Sequence, residues 1–395
     1  MNTIDPLANR LQPHYTHFKV ANRLLFTGHS HQAWPDVALK GLQEAYYSAA
    51  DRVDDKWEKA FEKTEVLRSY LRRYYDDPNG RYCLGQNTHQ LLVSWLSSFD
   101  LKNKPRIITT DSEFHSMGRQ LRRLQEEGLD VRYAQGHSGQ LGSQIKKLMD
   151  GKTAAIMLSR VFFESGLVNR QLSTIAAMAR RRGVPLLIDD YHGTNVVPLS
   201  LREEQLEDCY MLTGGYKYLQ WGEGNCFLRF PEECSLRPAI TGWFASFSTL
   251  QTASTDDPVR YDRGERRFAT GTYDPASQFR AANVVAFFEE QNLTPDILRQ
   301  QYTNQVGMLR KEFTEQNLDP DLIALRHHRP LEETGGFLAL RSPFARAICA
   351  KLREKSVHTD ARGDILRLGP APYTTSRQIK KAIELLAETV RQLTP

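Results

Sequence analysis

An α/β fold, with one large and mainly parallel sheet and a smaller C-terminal α+β part, is predicted by three observations. Short apolar runs alternate with helix-length segments through the middle of the chain, the composition changes beyond about residue 292, and an acid and a lysine each follow a strand-like run. At 395 residues the chain also exceeds the usual size of one hydrophobic core, so one large domain and one smaller domain are expected.

The elements follow in order. "PRIITTD" (105–111) reads as a short buried strand, and the mixed charged and leucine positions of 116–127 read as the helix after it. "TAAIMLSR" (153–160) is a second strand. An Ala- and Arg-rich helix over 171–182 is closed by Gly183, and "VPLLIDD" (184–190) returns as a strand. Strand, helix and strand in that succession imply parallel pairing through a right-handed crossover. "CYMLTGG" (209–215) and "NCFLRF" (225–230) add two strands. Beyond residue 292 come an amphipathic helix in "TPDILRQQYTNQVGMLRKEFTEQ", short strands near "GGFLALR" and "DILRLG", and a final helix over 376–393. The expected division is an N-terminal segment, 1–45, that serves the small domain and the active site, a large domain, 46–290, and a small domain, 291–395.

Composition narrows the function. Hydrophobic residues are 40% and charged residues 25% of the chain, and no run approaches the roughly 18 apolar residues of a membrane span. The N-terminus lacks a basic flank followed by an apolar run, so a soluble, cytoplasmic protein is expected. Fifty-two basic against 47 acidic residues is too even a balance to point to nucleic acid. The run Arg180, Arg181 and Arg182 sits at a helix end, where cations favour the dipole. The five cysteines, Cys83, Cys209, Cys226, Cys234 and Cys349, show no CxxC spacing, so neither a disulfide framework nor a structural zinc site is expected. They read as mostly buried, small apolar residues.

In an open parallel α/β sheet, ligands collect at the carboxyl ends of the strands. Asp189 and Asp190 lie at one such end, followed by "YHGTNVVP", and Lys217, in "TGGYKYLQWGEGN", follows the next strand. Neither GxGxxG nor GxxxxGK[ST] occurs, which weighs against nicotinamide and nucleoside-triphosphate cofactors. A lysine and an acid aimed at one crevice suit pyridoxal phosphate. The amine forms a Schiff base with the aldehyde, and the carboxylate keeps the pyridine nitrogen protonated.

From about residue 24 to 393 the sequence resembles the fold type I pyridoxal phosphate enzymes, which have the aspartate aminotransferase-like fold, and within them the class V aminotransferase group and kynureninase most of all. "IDDYHGTNV" carries the family's Asp and, three positions on, His, and "GGYKYLQWGEGN" carries its Tyr-Lys-Tyr-Leu block. The resemblance implies that Lys217 is the Schiff-base lysine, that Asp189 pairs with the pyridine nitrogen, that His192 supports the cofactor, and that Tyr216 contacts its phosphate and is a candidate proton donor. "FHSM" implies that Phe114 stacks on the ring, and "LSRVFFESG" puts Ser159 on the cofactor side. "GWF" and "FATGTYDP" imply that Trp243 and Thr272 reach the phosphate across a homodimer interface. "ILRLGPAPY" implies that Arg367 grips the substrate carboxylate, as a planar guanidinium can through two parallel hydrogen bonds.

The implied activity is a kynureninase-like hydrolysis of the bond between the β and γ carbons of L-kynurenine or a related amino acid, giving anthranilate or an analogue and alanine. The alternatives are a class V aminotransferase or another pyridoxal phosphate-dependent lyase or isomerase. A desulfurase would need a nucleophilic cysteine on a mobile C-terminal loop, whereas Cys349 lies in a helical pattern. Three departures bear on the substrate and the cofactor contacts. Where the family reads Gly-Asn-Ser-Leu-Gly, "GHSHQ" keeps Gly28 and Ser30 but has His29, His31 and Gln32 between and after them, Gly85 stands for a phosphate-loop threonine, and Met117 stands for an acid. The histidines lack a third ligand nearby, so no metal is expected. His29, Ser30 and His31 become the candidate substrate contacts.

Overall fold

The computed structural model describes residues 3–252 and 258–393. A seven-stranded sheet organises the larger part: β1 (Arg81–Gly85), β2 (Arg106–Thr110), β3 (Asp130–Ala134), β4 (Thr153–Ser159), β5 (Leu186–Asp189), β6 (Tyr210–Gly214) and β7 (Cys226–Phe230). Their spatial order is β1-β7-β6-β5-β4-β2-β3. The run from β6 to β3 is parallel, whereas β7 pairs antiparallel with both β6 and β1. The chain leaves β6, forms the loop that carries Lys217, and comes straight back as β7.

Side-chain alternation divides the sheet between two cores. Ile108, Ile156, Leu158, Leu186 and Ile188 pack on one face with Leu172, Ile175 and Ala176 of the helix Leu172–Arg181. Ile107, Ala155, Met157 and Leu187 pack on the other with Leu91 and Trp95 of Thr88–Leu96 and Leu121 of His115–Glu126. Because both faces are covered, β4 is buried at all 7 positions and reads as a continuous apolar run. The edge strand β3 instead exposes Arg132 and Tyr133.

The C-terminal part is a four-stranded antiparallel sheet in the order Asp360–Arg362, Ile365–Leu368, Leu338–Arg341 and Ala324–Leu325. The helices Pro295–Glu315, Ala345–Glu354 and Ser376–Arg391 supply Leu309, Ile348, Ile383 and Leu386 to its core. Thr375 starts the last helix with a capping box, its hydroxyl accepting from the backbone N–H of Gln378 while the Gln378 side chain accepts from that of Thr375.

The N-terminal segment ties the two parts together. Leu11 and Tyr15 join the large core, Ile4 and Phe26 join the small one, and Leu24–Leu25 pairs in parallel with Val357–His358. Residue 45 falls inside the helix Val37–Arg52, which lies along Ala276–Glu290. Gly41 permits that approach, since a Cβ there would stand 2.6 Å from the backbone oxygen of Phe279. Four cysteines are buried, Cys349 is half-buried, and all five are free. Arg180 pairs with Asp208, and Gly183 turns the chain at φ +62. Among the described residues no helix is long and apolar enough to cross a membrane.

Candidate active site

The pocket opens at the carboxyl ends of the parallel strands. Asp189 is the last residue of β5, and Lys217 lies three residues past the end of β6. Thr88 and His89, at the start of the helix Thr88–Leu96, and Phe114, the residue before His115–Glu126, line the same pocket with Asp189, His192 and Lys217.

Lys217 is buried, with 4% of its surface exposed. Its Nζ lies 3.0 Å from Nε2 of His192 and sits over the rings of Tyr191, Phe114 and Tyr216 at 4.6, 5.2 and 5.8 Å. Desolvation pulls its pKa down to about 7, against the opposing pull of Asp189. Burial and the neighbouring Lys217 and Arg367 hold His192 well below the usual histidine range, so its imidazole is neutral. Asp189 accepts from the backbone N–H of Tyr191 at 3.0 Å, and burial raises its pKa above the carboxylate norm. A cationic ring N–H brought against it would reverse that rise. Beside it, Asp190 belongs to the scaffold: its carboxylate takes Arg160, Tyr75 and Thr194 and anchors the end of β5.

The residues present fit pyridoxal phosphate. A buried amine of lowered basicity, an acid and an aromatic ring opening onto the same pocket are the parts such a ring needs. The helix Thr88–Leu96 points its N-terminus at the pocket, and the Gln86 side-chain N–H beside it is buried without a partner. A phosphate group would satisfy that orphaned donor at the positive end of the helix, whose Gln90 amide Asn87 already caps.

The other candidate residues divide into four groups. Tyr216 lines the pocket and stacks on His31, with ring centroids 4.7 Å apart and an interplanar angle of 17°, and burial pushes its hydroxyl up to about 12. His31 stays largely exposed at the mouth, with Nδ1 3.2 Å from Oγ of Ser30 and Nε2 3.6 Å from Glu223. Gly85 and Ser159 lie behind the pocket wall. A Cβ at Gly85 would stand 2.6 Å from Leu91, which accounts for the missing threonine, and the Ser159 hydroxyl donates to Glu113. Trp243 is 45% exposed and packs on Phe244 and Phe247, and Thr272 is exposed, and neither lines the pocket.

Arg367 and His29 form a layer beyond Lys217. Arg367 lies on Ile365–Leu368, donates to the backbone oxygen of Phe163 at 2.6 Å and pairs with Asp360 on the adjacent strand. His29 is fully buried, its Nε2 3.5 Å from Asp360, so it backs that pair and does not face the pocket directly. Two further residues belong to this picture. Glu113 accepts from Thr110 and Ser159, and burial raises its pKa to about 7. Asp360 is held well below the usual carboxylate range by His29 and Arg367. An acid directly before "FHSM" was a visible signal for Glu113, whereas Asp360 gained meaning only once the small sheet put it opposite Arg367.

Residues 294–386 match the kynureninase C-terminal domain family. The chain is 24% identical over 374 residues to the uncharacterized aminotransferase YcbU of Bacillus subtilis (strain 168), covering 92% of this chain and 94% of that protein. It is 26% identical over 157 residues to a mitochondrial cysteine desulfurase of Candida maltosa, which covers 39% of this chain and 32% of that one. A solved structure of a C-DES mutant with glycine covalently linked to its pyridoxal phosphate cofactor superposes with a TM-score of 0.80 at 16% identity, covering 95% of this chain and 99% of that one. The apo cysteine desulfurase from Thermococcus onnurineus NA1 gives 0.78 at 15% identity, covering 97% and 98%. The chain has the fold of the class V, fold type I pyridoxal phosphate enzymes. In this class V frame the expected large, mainly parallel sheet and small C-terminal α+β part are both present, with β7 as the one antiparallel member of the large sheet.

Proposed function

We propose that this class V protein is a pyridoxal phosphate-dependent hydrolase of the kynureninase type, cleaving the bond between the β and γ carbons of L-kynurenine or a closely related amino acid. The observation that carries this reading is the kynureninase-type C-terminal domain over 294–386, which contains Arg367 and Asp360, in the same chain as the buried Lys217 and the half-buried Asp189.

When bound, pyridoxal phosphate supplies an aldehyde that captures amino groups and a ring that accepts the electron pair of a breaking bond at the amino acid. Lys217, Asp189, His192 and Phe114 would hold it, with the N-terminus of Thr88–Leu96 at its phosphate. Burial lowers the Lys217 pKa to about 7, so above that pH its Nζ is mostly neutral and is both a nucleophile and a base for the α proton of an incoming amino acid. The neutral His192 at 3.0 Å orients that nitrogen. Tyr216 keeps its proton to about pH 12 and is the donor for the β carbon. Arg367 fixes the substrate's carboxylate and hence which α bond faces Lys217. Trp243 and Thr272 are assigned to the site of a second subunit in a homodimer.

A transaminase is the second reading, favoured by the likeness to YcbU along almost the whole chain. A persulfide-forming desulfurase is disfavoured. Cys349 sits in the helix Ala345–Glu354 beside Thr359, and Cys226, the cysteine nearest Lys217, is buried with its thiol pushed up to about 12. Incubation of the cofactor-loaded protein with L-kynurenine separates the readings. Fluorescent anthranilate formed in proportion to enzyme is the expected result, and turnover that depends on added pyruvate without anthranilate would establish the transaminase instead.

A further inference from the structure

Arg367 is spoken for on most of its donors before any substrate arrives. Its Nε donates to Oδ1 of Asp360 at 2.7 Å, its Nη2 pairs with the same carboxylate, and its Nη1 donates to the Phe163 oxygen at 2.6 Å. A guanidinium carries five N–H groups. Three are used, which leaves one on each terminal nitrogen. The plane is held as well, with Phe163 and Phe337 ring centroids 5.9 and 5.7 Å from Cζ.

Asp360 is clamped in turn. Its Oδ2 takes Arg362 at 3.1 Å, and its Oδ1 faces Nε2 of His29. His29 has no exposed surface, and its ring packs on Phe337 at 4.8 Å. Its Nδ1 has no partner and faces the backbone of Gly369, where a Cβ would stand 2.3 Å away. A buried imidazole with a bare Nδ1 carries its proton on Nε2, the nitrogen that faces Asp360.

We infer that Asp360, locked by His29, is a positioning residue that turns Arg367 into a clamp with a single free edge, so that the subsite takes one carboxylate of an amino acid in one orientation. The inference rests on the reading of this pocket as an amino-acid site. Asp360, shared with Arg362, offsets part of the charge of Arg367, and the two N–H groups left free set the geometry in which an incoming carboxylate is held. A cation free to rotate would accept the same carboxylate in several poses, and the α proton would then face Lys217 in only some of them.

The test uses binding and so does not need kynurenine cleavage. The cofactor-loaded protein is titrated with L-alanine and with ethylamine, which lacks the carboxylate, and the change in the visible spectrum gives each Kd. Asp360→Asn is expected to weaken L-alanine at least about 10-fold, leave ethylamine within about 2-fold, and leave cofactor content unchanged. His29→Gln is expected to weaken L-alanine in the same selective way by a smaller factor, and serves if Asp360→Asn does not fold. Equal weakening of both ligands would mean a merely structural role and would overturn the inference, as would an unchanged L-alanine Kd or a wild-type protein that binds no L-alanine. Anthranilate formation can fail while this selectivity appears, or the reverse, so the two readings are separable.

Discussion

Glu113, buried behind the pocket wall with Ser159, has its charge suppressed by burial, and this makes the stability of the fold depend on pH. Glu113 has its pKa raised from 4.5 to about 7. The folded state therefore holds a proton that the unfolded chain has released, and its contribution to stability is complete below pH 4.5 and is lost as pH rises through 7. The shift corresponds to about 3 kcal/mol once both states are ionised. Glu113→Gln is expected to melt higher than wild type at pH 8 and within about 1 kcal/mol of it at pH 5, in thermal unfolding of the apoprotein. A variant equally shifted at both pH values would mean that Glu113 is ionised in the fold. Lys217 and Asp189 could be read from the sequence because their pairing at two strand ends has a chemical meaning. Asp360 and the burial of His29 could not, because a lone acid or histidine acquires a role only from partners far away in the chain.

The strand and helix ends decide what the pocket can be built from. Gly85 closes β1 against Leu91 of the next helix, so restoring the family's threonine would force a buried leucine aside. Gly85→Thr is expected to cost about 1–3 kcal/mol in denaturant unfolding, and Leu91→Ala combined with it should cost less than the sum of the two single changes. At the other end of the chain, Thr375→Ala removes the hydroxyl that accepts from Gln378 and should lower stability by about 1 kcal/mol without changing the visible spectrum of the cofactor-loaded protein. The strands in 105–111, 153–160 and 184–190 were legible because parallel strands covered on both faces are apolar throughout. Arg81–Gly85 and Asp130–Ala134 were not, being sheet-edge strands with mixed exposure, and the antiparallel sense of Cys226–Phe230 leaves no mark on its composition.

At the scale of the whole molecule, the site is assembled from parts that sequence order separates. The N-terminal segment brings His29 and His31, the large sheet brings Asp189 and Lys217, and the small sheet brings Arg367 and Asp360. On the proposed reading, the exposed Trp243 completes the site of a second subunit. If so, Lys217→Ala and Trp243→Ala, each inactive alone, should regain about a quarter of wild-type activity when unfolded, mixed in equal amounts and refolded, because half of the dimers then hold one intact site. No recovery in the mixture, with each parent dimeric by sedimentation, would place Trp243 outside the partner's site. The identity of the amine that holds the cofactor underlies everything else, and it can be measured directly. Pyridoxal phosphate is added, the protein is reduced with borohydride, and its peptides are mapped by mass spectrometry. A phosphopyridoxyl group on Lys217, lost in Lys217→Ala, is the expected result, and modification of another lysine or of none would contradict it.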